Sequence, residues 1–518
     1  MKETDVWNEY LQGVDFKNQI SLYKTVDENI RFYEGDQWHG ISAPNLPKPV
    51  HNIIKPACNF MTSQIKDRKL AIKFITEGEK EDVTALLNQM NDYARRTWNR
   101  LNMESKNLDG LIDAFNTGDY ILYHWWNDKI ETGQPFVGDV DNMIIDNVNY
   151  YPGNPNSADV QTQPYIILVL REMISNVKEI AKANKISSEN IKKIVPDEDT
   201  DYTAGDIGKI ELTGGEKCNV LLKMWKQDNE VYFAKYTKYI ELQKPKKANL
   251  KLYPISMMNW APRKNCCHGV AEATYLKANQ VYINKQSALS QLYLMQTAYP
   301  KVIFNKTVIP EWSNKIASAI GVNGDITGVA QYMQPPQIPS DVWISIDKTK
   351  SMTMELMGVN DAALGNITNP NNKGAFIAVR DAAVVPLESK RHRHHQMMRD
   401  TGMIWLDFWI NHFPEGRTIP MEVEGEIMQI PVDLPAYENL PFDTQLEVGE
   451  SQLWSELNVV YTLDNLLQQG KITPSQYFKR MPQGYIPDKD ELYEEARRVE
   501  QEQQQIQQAQ LAAQQGGI

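Results

Sequence analysis

The sequence predicts an α+β protein, and three observations support that fold class. Helical patterns fill residues 18–117, patterns typical of strands dominate 135–260, and thirty residues without Gly or Pro, 270–299, open a second helical region. Helices and strands that are segregated along a chain indicate α+β, whereas a regular alternation would indicate α/β. The 518 residues, of which 42% are hydrophobic and 23% charged, are enough for two to four folded units.

Four helices are expected in the first part of the chain. Gly118 directly follows the last of these patterns, where a glycine commonly ends a helix. The segment "GDQWHGI" is an aromatic turn in which we expect Trp38 to pack in a core or an interface. The four helices are predicted at 18–34, 50–69, 80–101 and 103–117.

Strands follow, and their turns are marked by the residue types that turns need. "DYILYHWWND" alternates as a strand, and "YIILVLREM" is a second strand followed by a short helix at 174–185. "NVLLKMWKQDNEVYFAKYTKYIELQ" is a hairpin around Asp228 and Asn229. In "GDVDNMIID" we expect an acidic turn, with Asp139 and Asp141, before a strand.

The long pattern 270–299 predicts a helix of about 45 Å. Its middle, "KANQVYINKQSA", has few large apolar residues and so offers little to the core of its own chain. Such a helix is better explained by packing against neighbouring subunits. We therefore expect Lys277 to Ser290 at a subunit interface or on the wall of a channel.

The rest of the chain alternates helices with turns and strands. Residues 358–374 are rich in Gly and Asn, which exclude helix and strand, and a helix with a kink at Pro386 is expected after them. The other expected elements are a β-and-turn insertion at 300–338, a helix that starts at Ser340 or Asp341, a hairpin at 418–432, helices at 450–470 and 473–481, and a Glu- and Gln-rich amphipathic C-terminal helix.

Composition excludes several classes of protein. With a net charge of −12 and a pI of about 5.3, the chain should not bind duplex DNA tightly, since such binding gains affinity from Lys and Arg on phosphates. No run of eighteen apolar residues predicts a transmembrane helix, and the N-terminus lacks the apolar core of a secretory signal. The four cysteines fit a reducing site of synthesis: Cys58, Cys218, Cys266 and Cys267.

Motifs for nucleotide and metal chemistry are incomplete, so no cofactor and no metal are expected. Lys373 precedes Gly374, the reverse of the order in a phosphate-binding loop. "NCCH", ending at His268, has no second ligand pair for zinc and predicts packing cysteines. "RHRHH", 391–395, predicts a solvated or DNA-facing basic helix face. A D-x-D cation site at Asp139 and Asp141 stays open as an alternative.

Four segments in a fixed order resemble the portal protein, or head-to-tail connector, of tailed bacteriophages. The resemblance covers nearly the whole chain, and the ordered set is more specific than any one segment. The segments are "FYEGDQW" with "LPKPVHNIIKPACNFMTSQI", "YPISMMNWAPRKNCCHGVAEATYLKANQVYINKQSALSQLYLMQTAYPKVIF", "MGVNDAALGNITNPNNKGAFIAV", and "PFDTQLEVGESQLWSELNVVYTLDNLLQQGKITPSQYF".

The resemblance implies a portal fold with an α/β wing, a long helical stem, a small β-rich clip and a helical crown. The implied divisions are an N-terminal wing at 1–265, a stem helix at 266–299, the clip at 300–339, a second stem helix at 340–357, a tunnel loop at 358–373, a long tunnel or wing helix at 374–413, wing return strands at 414–450, and the crown with the C-terminal tail at 451–518.

The implied function is a ring, usually a dodecamer, at one capsid vertex, and not an enzyme. Double-stranded DNA passes through the ring during packaging and ejection. The implied protein partners are the terminase large subunit, the major capsid and scaffolding proteins, and head-completion or adaptor and tail proteins, with no membrane. The location is the virion, and the host cytoplasm during assembly.

The resemblance also assigns residues to two sites. Weak contact with DNA is expected from the tunnel loop and the second stem helix, at Asn360, Asn366, Asn369, Asn371, Asn372, Lys373, Lys348 and Lys350. Partner docking is expected from the clip, at Glu311, Trp312, Asn323 and Asp325. Two other classes stay open: a metal-dependent hydrolase or transferase that uses Asp139, Asp141 and the histidines, and a minor structural virion protein that forms no ring.

Overall fold

A computed structural model describes residues 3–66, 70–76, 81–131, 137–196, 217–298, 302–309, 311, 327–328, 330–332, 341–357, 385–413, 417–423, 426–431, 442–448, 453–481, 486, 489, 491–500 and 502.

The first part of the chain is helical. The helices predicted at 50–69, 80–101 and 103–117 are confirmed, with changes at their ends. The helix predicted at 18–34 begins only at Leu22, because Ser21 has a φ of 56° and separates it from an unpredicted first helix. The helices are α1 (Glu3–Gln19), α2 (Leu22–Glu34), α3 (Ile54–Ile65), α4 (Glu81–Arg100) and α5 (Met103–Thr117).

Two antiparallel sheets follow, with three strands in the order β3-β2-β9 and five in the order β4-β5-β6-β7-β8. A further strand, β1 (Leu70–Thr76), pairs with β14 (Phe442–Val448) near the end of the chain. The strands of the two sheets are β2 (Asp119–Glu131), β3 (Val137–Ile144), β4 (Tyr150–Pro152), β5 (Tyr165–Met173), β6 (Lys217–Gln227), β7 (Glu230–Tyr236), β8 (Glu241–Lys247) and β9 (Ile255–Asn259), with α6 (Ile174–Ala183) and α7 (Ser188–Lys192) between β5 and β6.

The β6–β7 hairpin turns at Asp228 and Asn229, as predicted. The two residues have φ values of 52° and 62°, the left-handed conformation that a two-residue type I′ turn requires at both positions. Asp and Asn adopt it at a lower cost than most residues. Gln227 and Glu230 pair directly across the turn, which fixes the register of the two strands.

Helix α1 covers one face of the five-stranded sheet. Val6, Tyr10 and Val14 recur every four residues and therefore lie on one side of the helix. They pack on buried sheet residues, namely Tyr151, Ile167, Val169, Leu221, Ala234 and Tyr236. The first helix thus completes the core of the larger sheet.

Two long helices flank a β ribbon. Helix α8 (Glu272–Ala298) confirms the helix predicted at 270–299, and α9 (Asp341–Leu356) begins at one of the two predicted caps. Between them, β10 (Val302–Phe304) pairs antiparallel with β11 (Ala330–Tyr332). The ribbon agrees with the predicted β character of the insertion, most of which lies outside the described residues.

Helix α10 (Glu388–His412) carries the largest side chains of a second core. Trp409 is fully buried, and its ring centroid lies 5.9 Å from that of Phe74 and 5.0 Å from that of Tyr93, in edge-to-face geometry. Pro386, where a kink was predicted, lies in a 3₁₀ turn, Val385–Leu387, directly before Glu388, and the kink itself stays a prediction. The earlier part of the predicted helix, 374–384, lies outside the described residues.

The predicted hairpin at 418–432 is confirmed as β12 (Thr418–Val423) and β13 (Glu426–Pro431). The predicted short helices are confirmed as α11 (Leu453–Gln468) and α12 (Pro474–Arg480), and residues 491–500 are helical. Helix α12 begins with a capping box between Thr473 and Gln476. Contacts divide the chain into one unit within 1–66 and 72–446 and another within 67–71 and 447–518.

Candidate functional site

Helices α8 and α9 lie side by side and run antiparallel. Asn279 Nδ2 donates to Thr353 Oγ1 at 2.9 Å, and the hydroxyl oxygens of Tyr282 and Ser345 are 3.0 Å apart. Residue numbers therefore rise along α8 while they fall along α9. Ile346 and Thr353 are buried, as expected for the inner side of α9.

The inner face of α8 is polar because two amides bind the loop before α3. Gln280 Oε1 accepts from the Ile53 N–H at 2.8 Å, and Gln280 Nε2 donates to the His51 carbonyl at 2.9 Å. Asn284 accepts from Gln280 and donates to Gln37. We call Gln280 and Asn284 the amide clamp. Because one amide group has both a hydrogen-bond donor and an acceptor, the clamp can hydrogen-bond both the N–H and the C=O groups of a loop that is remote in sequence.

The prediction that the middle of α8 offers little to its own core is wrong for this inner face. Six residues of this face are buried by contacts within the chain, namely Gln280, Ile283, Asn284, Ser287, Ala288 and Ser290. Hydropathy failed as a guide because the amides Gln280 and Asn284 are buried through hydrogen bonds to residues that are remote in sequence. On this face, polarity is no argument for a position between subunits.

The outer face of α8 exposes large side chains at a spacing of seven residues. Tyr275, Tyr282 and Leu289 are 60%, 39% and 55% exposed, and Ala278 and Lys285 lie between them. We call these five residues the outward seam. A seven-residue spacing places side chains along one line on a helix, as in helices that pack against a partner helix. Contiguous exposed apolar side chains mark interaction surfaces, whereas isolated ones are normal.

A groove of about 830 Å³ borders the outward seam, between α2 and α8. Ala278 and Lys285 belong to both the seam and the wall of the groove, and Phe32 and Trp38 supply aromatic surface on the opposite side. Trp38 is half-buried and donates its indole N–H to the Pro49 carbonyl at 2.9 Å. The seam and the groove therefore form one continuous surface.

Helix α9 also presents apolar side chains to solvent. Trp343 is 46% exposed, Ile344 is 61% exposed, and Met352 is exposed as well. Lys348 and Lys350, predicted to contact DNA, are exposed on the same helix. Neither lysine forms an ion pair with another described residue, so both ammonium groups are accessible to a ligand in the single chain.

Most residues of the predicted docking and DNA-contact sites lie outside the described residues. Glu311 is described and exposed. The residues outside are Trp312, Asn323 and Asp325 of the clip, and Asn360, Asn366, Asn369, Asn371, Asn372 and Lys373 of the tunnel loop. Their roles stay predictions.

The basic segment at the start of α10 is mostly used within the chain, which contradicts the solvated or DNA-facing face predicted for 391–395. Arg391 donates to the Gln64 carbonyl at 2.7 Å, and Arg393 donates to the Trp260 carbonyl at 3.1 Å. The preceding Lys390 pairs with Glu272 at 3.1 Å. Carbonyl acceptors that are remote in sequence leave no pattern by which this burial could have been predicted.

Asp139 and Asp141 lie inside β3, so the predicted acidic turn is wrong. Asp139 is buried, pairs with Arg100 at 3.0 Å and accepts from the Tyr93 hydroxyl at 2.8 Å. Asp141 accepts from Asn127 at 3.1 Å. Both carboxylates therefore have partners within the chain, and the D-x-D cation site gains no support.

A buried polar junction precedes α8. The cysteines of "NCCH" are free and buried, which confirms their packing role, whereas the partner of His268 was not foreseen. His268 Nδ1 lies 2.8 Å from Asp119 Oδ2. The same carboxylate accepts from Asn147 Nδ2, from Asn259 Nδ2 and from the backbone N–H of Gly269. This junction ties the start of β2 to the segment that leads into α8.

Neither a membrane-spanning helix nor a cluster of metal ligands occurs among the described residues. None of their helices combines the length and the apolar character that crossing a bilayer requires. In the same part of the chain, His, Cys, Asp and Glu side chains nowhere gather in threes in a way that could hold a metal ion.

The chain matches a known protein family over most of its length. A family model described as "Phage P22-like portal protein" matches residues 170–517, a range that includes α8, α9 and the insertion between them. No curated protein matches the chain.

Proposed function

The chain belongs to the P22-like family of phage portal proteins, and from this premise we propose that its copies form a ring at one vertex of the capsid of a tailed phage. The ring is the channel through which viral DNA is packaged and ejected. Family membership carries the proposal, and the outward seam of α8 is the structural observation that supports it. The protein acts in the virion, and in the host cytoplasm during assembly.

A ring requires two different surfaces on each copy, because neighbours meet head to tail. The outward seam supplies one apolar surface, and the exposed Trp343, Ile344 and Met352 of α9 supply another. Burial of apolar area contributes roughly 25 cal/mol per Å², so exposed side chains of this size favour association. We propose that the α9 surface of one copy packs against the outward seam of the next.

Charged substitutions in the seam test this contact. Leu289→Asp and Tyr275→Asp place a carboxylate on the seam, and we expect both to shift the protein from a ring to smaller species in light scattering. Tyr239→Asp is the matched control, because Tyr239 is 51% exposed in the β7–β8 turn and lies outside the seam. A seam variant that assembles like the control would contradict the proposed contact.

Contact with DNA in the channel is proposed to be weak and non-specific. A net charge of −12 per chain keeps the channel from holding phosphates, while Lys348, Lys350 and Lys373 add isolated cations among the loop amides. Replacing Asn366, Asn369 and Asn371 with Lys should lower the DNA packaged per particle, most strongly at low salt. Deleting 369–372 should spare folding, since loop closure depends weakly on length, yet reduce packaging. Normal packaging by both variants would show that the loop does not contact DNA.

The clip is proposed to dock the terminase large subunit during packaging, and head-completion or adaptor and tail proteins afterwards. The pairing of β10 with β11 brings the two ends of the insertion together, so the segment between them can change with little effect on α8 and α9. Replacing Glu311 and Trp312 should leave ring assembly intact and reduce packaging or tail joining. Loss of assembly alone would identify the clip as a contact between subunits.

We also propose, from the same family role, that the assembled ring binds the major capsid and scaffolding proteins. The alternative of a metal-dependent hydrolase or transferase has no support among the described residues, because the Asp139 carboxylate that it would use is paired with Arg100. A minor virion protein without a ring differs from a portal in the mass of the assembly, which is directly measurable.

A further inference from the structure

The groove between α2 and α8 has an apolar wall and, at its edge, a lysine without a partner. Phe32, Trp38 and Val281 are half-buried in this wall, and Ile41 is exposed there. Lys285 is exposed, and its ammonium group forms no ion pair or hydrogen bond with another described residue. Lys285 is therefore the charge in the wall that a partner could neutralise. The other charged side chains of the groove contact one another: Lys24 and Lys277 with Glu28, Arg31 with Asp27, and His39 with Asp36.

Helix α9 carries an aromatic ring and a carboxylate on the side that faces away from α8. Ser345 contacts Tyr282 of α8, and Trp343 and Asp347 lie two residues before and after Ser345. Two residues correspond to a rotation of about 200° around a helix, so both side chains lie on the opposite side from Ser345. Because they are four residues apart, they share one face of α9. Both are exposed, and Asp347 has no ion pair or hydrogen bond among the described residues.

The groove lies on the opposite side of the pair of helices α8 and α9. Asn279 contacts Thr353 of α9, and Lys277 and Val281 of the groove lie two residues before and after Asn279. By the same rotation of about 200°, these two residues face away from α9. Two surfaces on opposite sides of one chain do not meet within that chain, but they meet between neighbours in a head-to-tail ring. This arrangement favours a second copy of the chain as the occupant of the groove.

We propose that the groove of one copy binds Trp343 and Asp347 of its neighbour. The indole packs against Phe32 and Trp38, and the Asp347 carboxylate pairs with Lys285. The inference rests on the proposed ring and names the residues that join one copy to the next. The volume fits, because a cavity of about 150 Å³ holds a benzene ring and the groove has about 830 Å³. Large aromatic side chains that fill a pocket supply much of the binding energy at many interfaces.

Charge also selects one register of the two helices. Lys350 lies seven residues after Trp343, on the same line of α9, and it is exposed. A neighbour shifted along the groove so that Lys350 lay on Lys285 would bring two ammonium groups together, which weakens binding. The register with Asp347 on Lys285 is the one that opposite charges favour.

Exchange of the two charges tests the pair. Asp347→Lys and Lys285→Asp each place like charges together, and we expect each to lower the ratio of assembled to free chain in light scattering by about tenfold at low salt. The double variant restores opposite charges and should recover most of this loss. Glu355→Lys is the matched control, because Glu355 is an exposed carboxylate about two turns along α9 from Asp347. A double variant that assembles no better than the single ones overturns the proposal.

Cross-linking locates the contact. A short bismaleimide links exposed cysteines, and the four native cysteines are buried. The double variant Asp347→Cys with Lys285→Cys should give a ladder of linked chains, and Glu355→Cys with Lys285→Cys should give much less. Rings of normal mass without a ladder above this control overturn the contact and leave the proposed ring in place. A wild type that forms no ring in light scattering overturns both.

Discussion

Asp119 shows at the scale of one residue how the chain secures the segment that leads into α8. Its buried carboxylate accepts from His268 Nδ1 at 2.8 Å, Asn259 Nδ2 at 2.7 Å, Asn147 Nδ2 at 3.1 Å and the Gly269 N–H at 2.7 Å. Four donors converge on one side chain, and all four lose their partner if the carboxylate is removed.

We therefore expect Asp119→Ala to lower the free energy of unfolding by about 3–5 kcal/mol, the typical cost of removing one partner of a buried charged pair. Asp119→Asn keeps the shape and part of the acceptor capacity, so it should cost less. Chemical denaturation of both variants measures the difference. An alanine variant as stable as the wild type would show that the junction contributes little.

His124 forms the start of a buried chain of hydrogen bonds between β2, β9 and α10. Its Nδ1 accepts from the Trp405 indole at 3.3 Å, and its Nε2 lies 3.2 Å from Ser256 Oγ. Ser256 in turn contacts Thr401 at 2.8 Å, and Thr401 donates to the Met397 carbonyl. With Nδ1 as acceptor and Nε2–H as donor, the ring is neutral, and a second proton would remove the acceptor that Trp405 uses.

Burial accordingly lowers the pKa of His124 from 6.5 to about 3, with a smaller contribution from the nearby Lys106. The unfolded chain takes up a proton near pH 6.5, whereas the folded chain does so only near pH 3. Stability from this group is therefore complete above pH 6.5 and falls by about 1.4 kcal/mol per unit as pH decreases toward 3.

The variant His124→Gln tests this dependence, since glutamine can still donate and accept but does not titrate. We expect urea midpoints of the wild type to fall more steeply than those of the variant between pH 6.5 and 4. Parallel midpoints across that range would show that His124 does not control acid sensitivity.

At the scale of elements, α5 and β2 are joined at a close crossing of two backbones. Gly118 ends α5 with a φ of 103°, and a Cβ on it would lie 2.6 Å from the Gly269 carbonyl oxygen. Gly35 ends α2 with a φ of 98°, but a Cβ there would meet no heavy atom within 4 Å. The two glycines share a conformation and differ in the space around them.

This pair separates conformational cost from crowding. Gly35→Ala should cost about 1–2 kcal/mol, the penalty of a left-handed conformation for a residue with a Cβ. Gly118→Ala should cost more than twice as much, because the backbone at Gly269 must also move. Equal losses of stability, measured by thermal unfolding, would show that the junction accommodates a methyl group.

The amide clamp predicts that loop order depends on α8. Gln280→Met keeps the volume but leaves the Ile53 N–H and the His51 carbonyl without a partner, at a cost of about 1–3 kcal/mol. Hydrogen exchange at Ile53 should accelerate. Gln291→Met is the control, because Gln291 is exposed on the same helix. Unchanged exchange at Ile53 would show that the clamp is dispensable.

Most elements could be predicted from the sequence, and the contacts of their faces could not. Hydrophobic periodicity and the residues that end each element predicted α4, α5 and the β6–β7 hairpin, because both are properties of the local sequence. The inner face of α8 and the basic start of α10 were misjudged, because their partners, such as the backbone at Ile53, Gln64 and Trp260, are remote in sequence. The seven-residue spacing of Tyr275, Tyr282 and Leu289 in the sequence is a signal for the outward seam. Spacing alone could not show whether these side chains are exposed or buried.

At the scale of the molecule, the order of segments predicted the family, and the match over 170–517 confirms it. The prediction that Lys277 to Ser290 lies at a subunit interface or a channel wall stays a prediction: α8 buries amides together with apolar side chains against its own chain, and it exposes Tyr275, Tyr282 and Leu289 to solvent. This distribution is what the proposed ring uses.

The central claim is that these chains assemble into a closed ring, and the mass of the purified protein tests it most directly. Light scattering after size exclusion should give a mass close to about twelve times the 59.4 kDa of one chain, and negative-stain images should show rings with a central hole. A stable monomer of 59.4 kDa without ring images, at concentrations where portal rings form, would contradict the account.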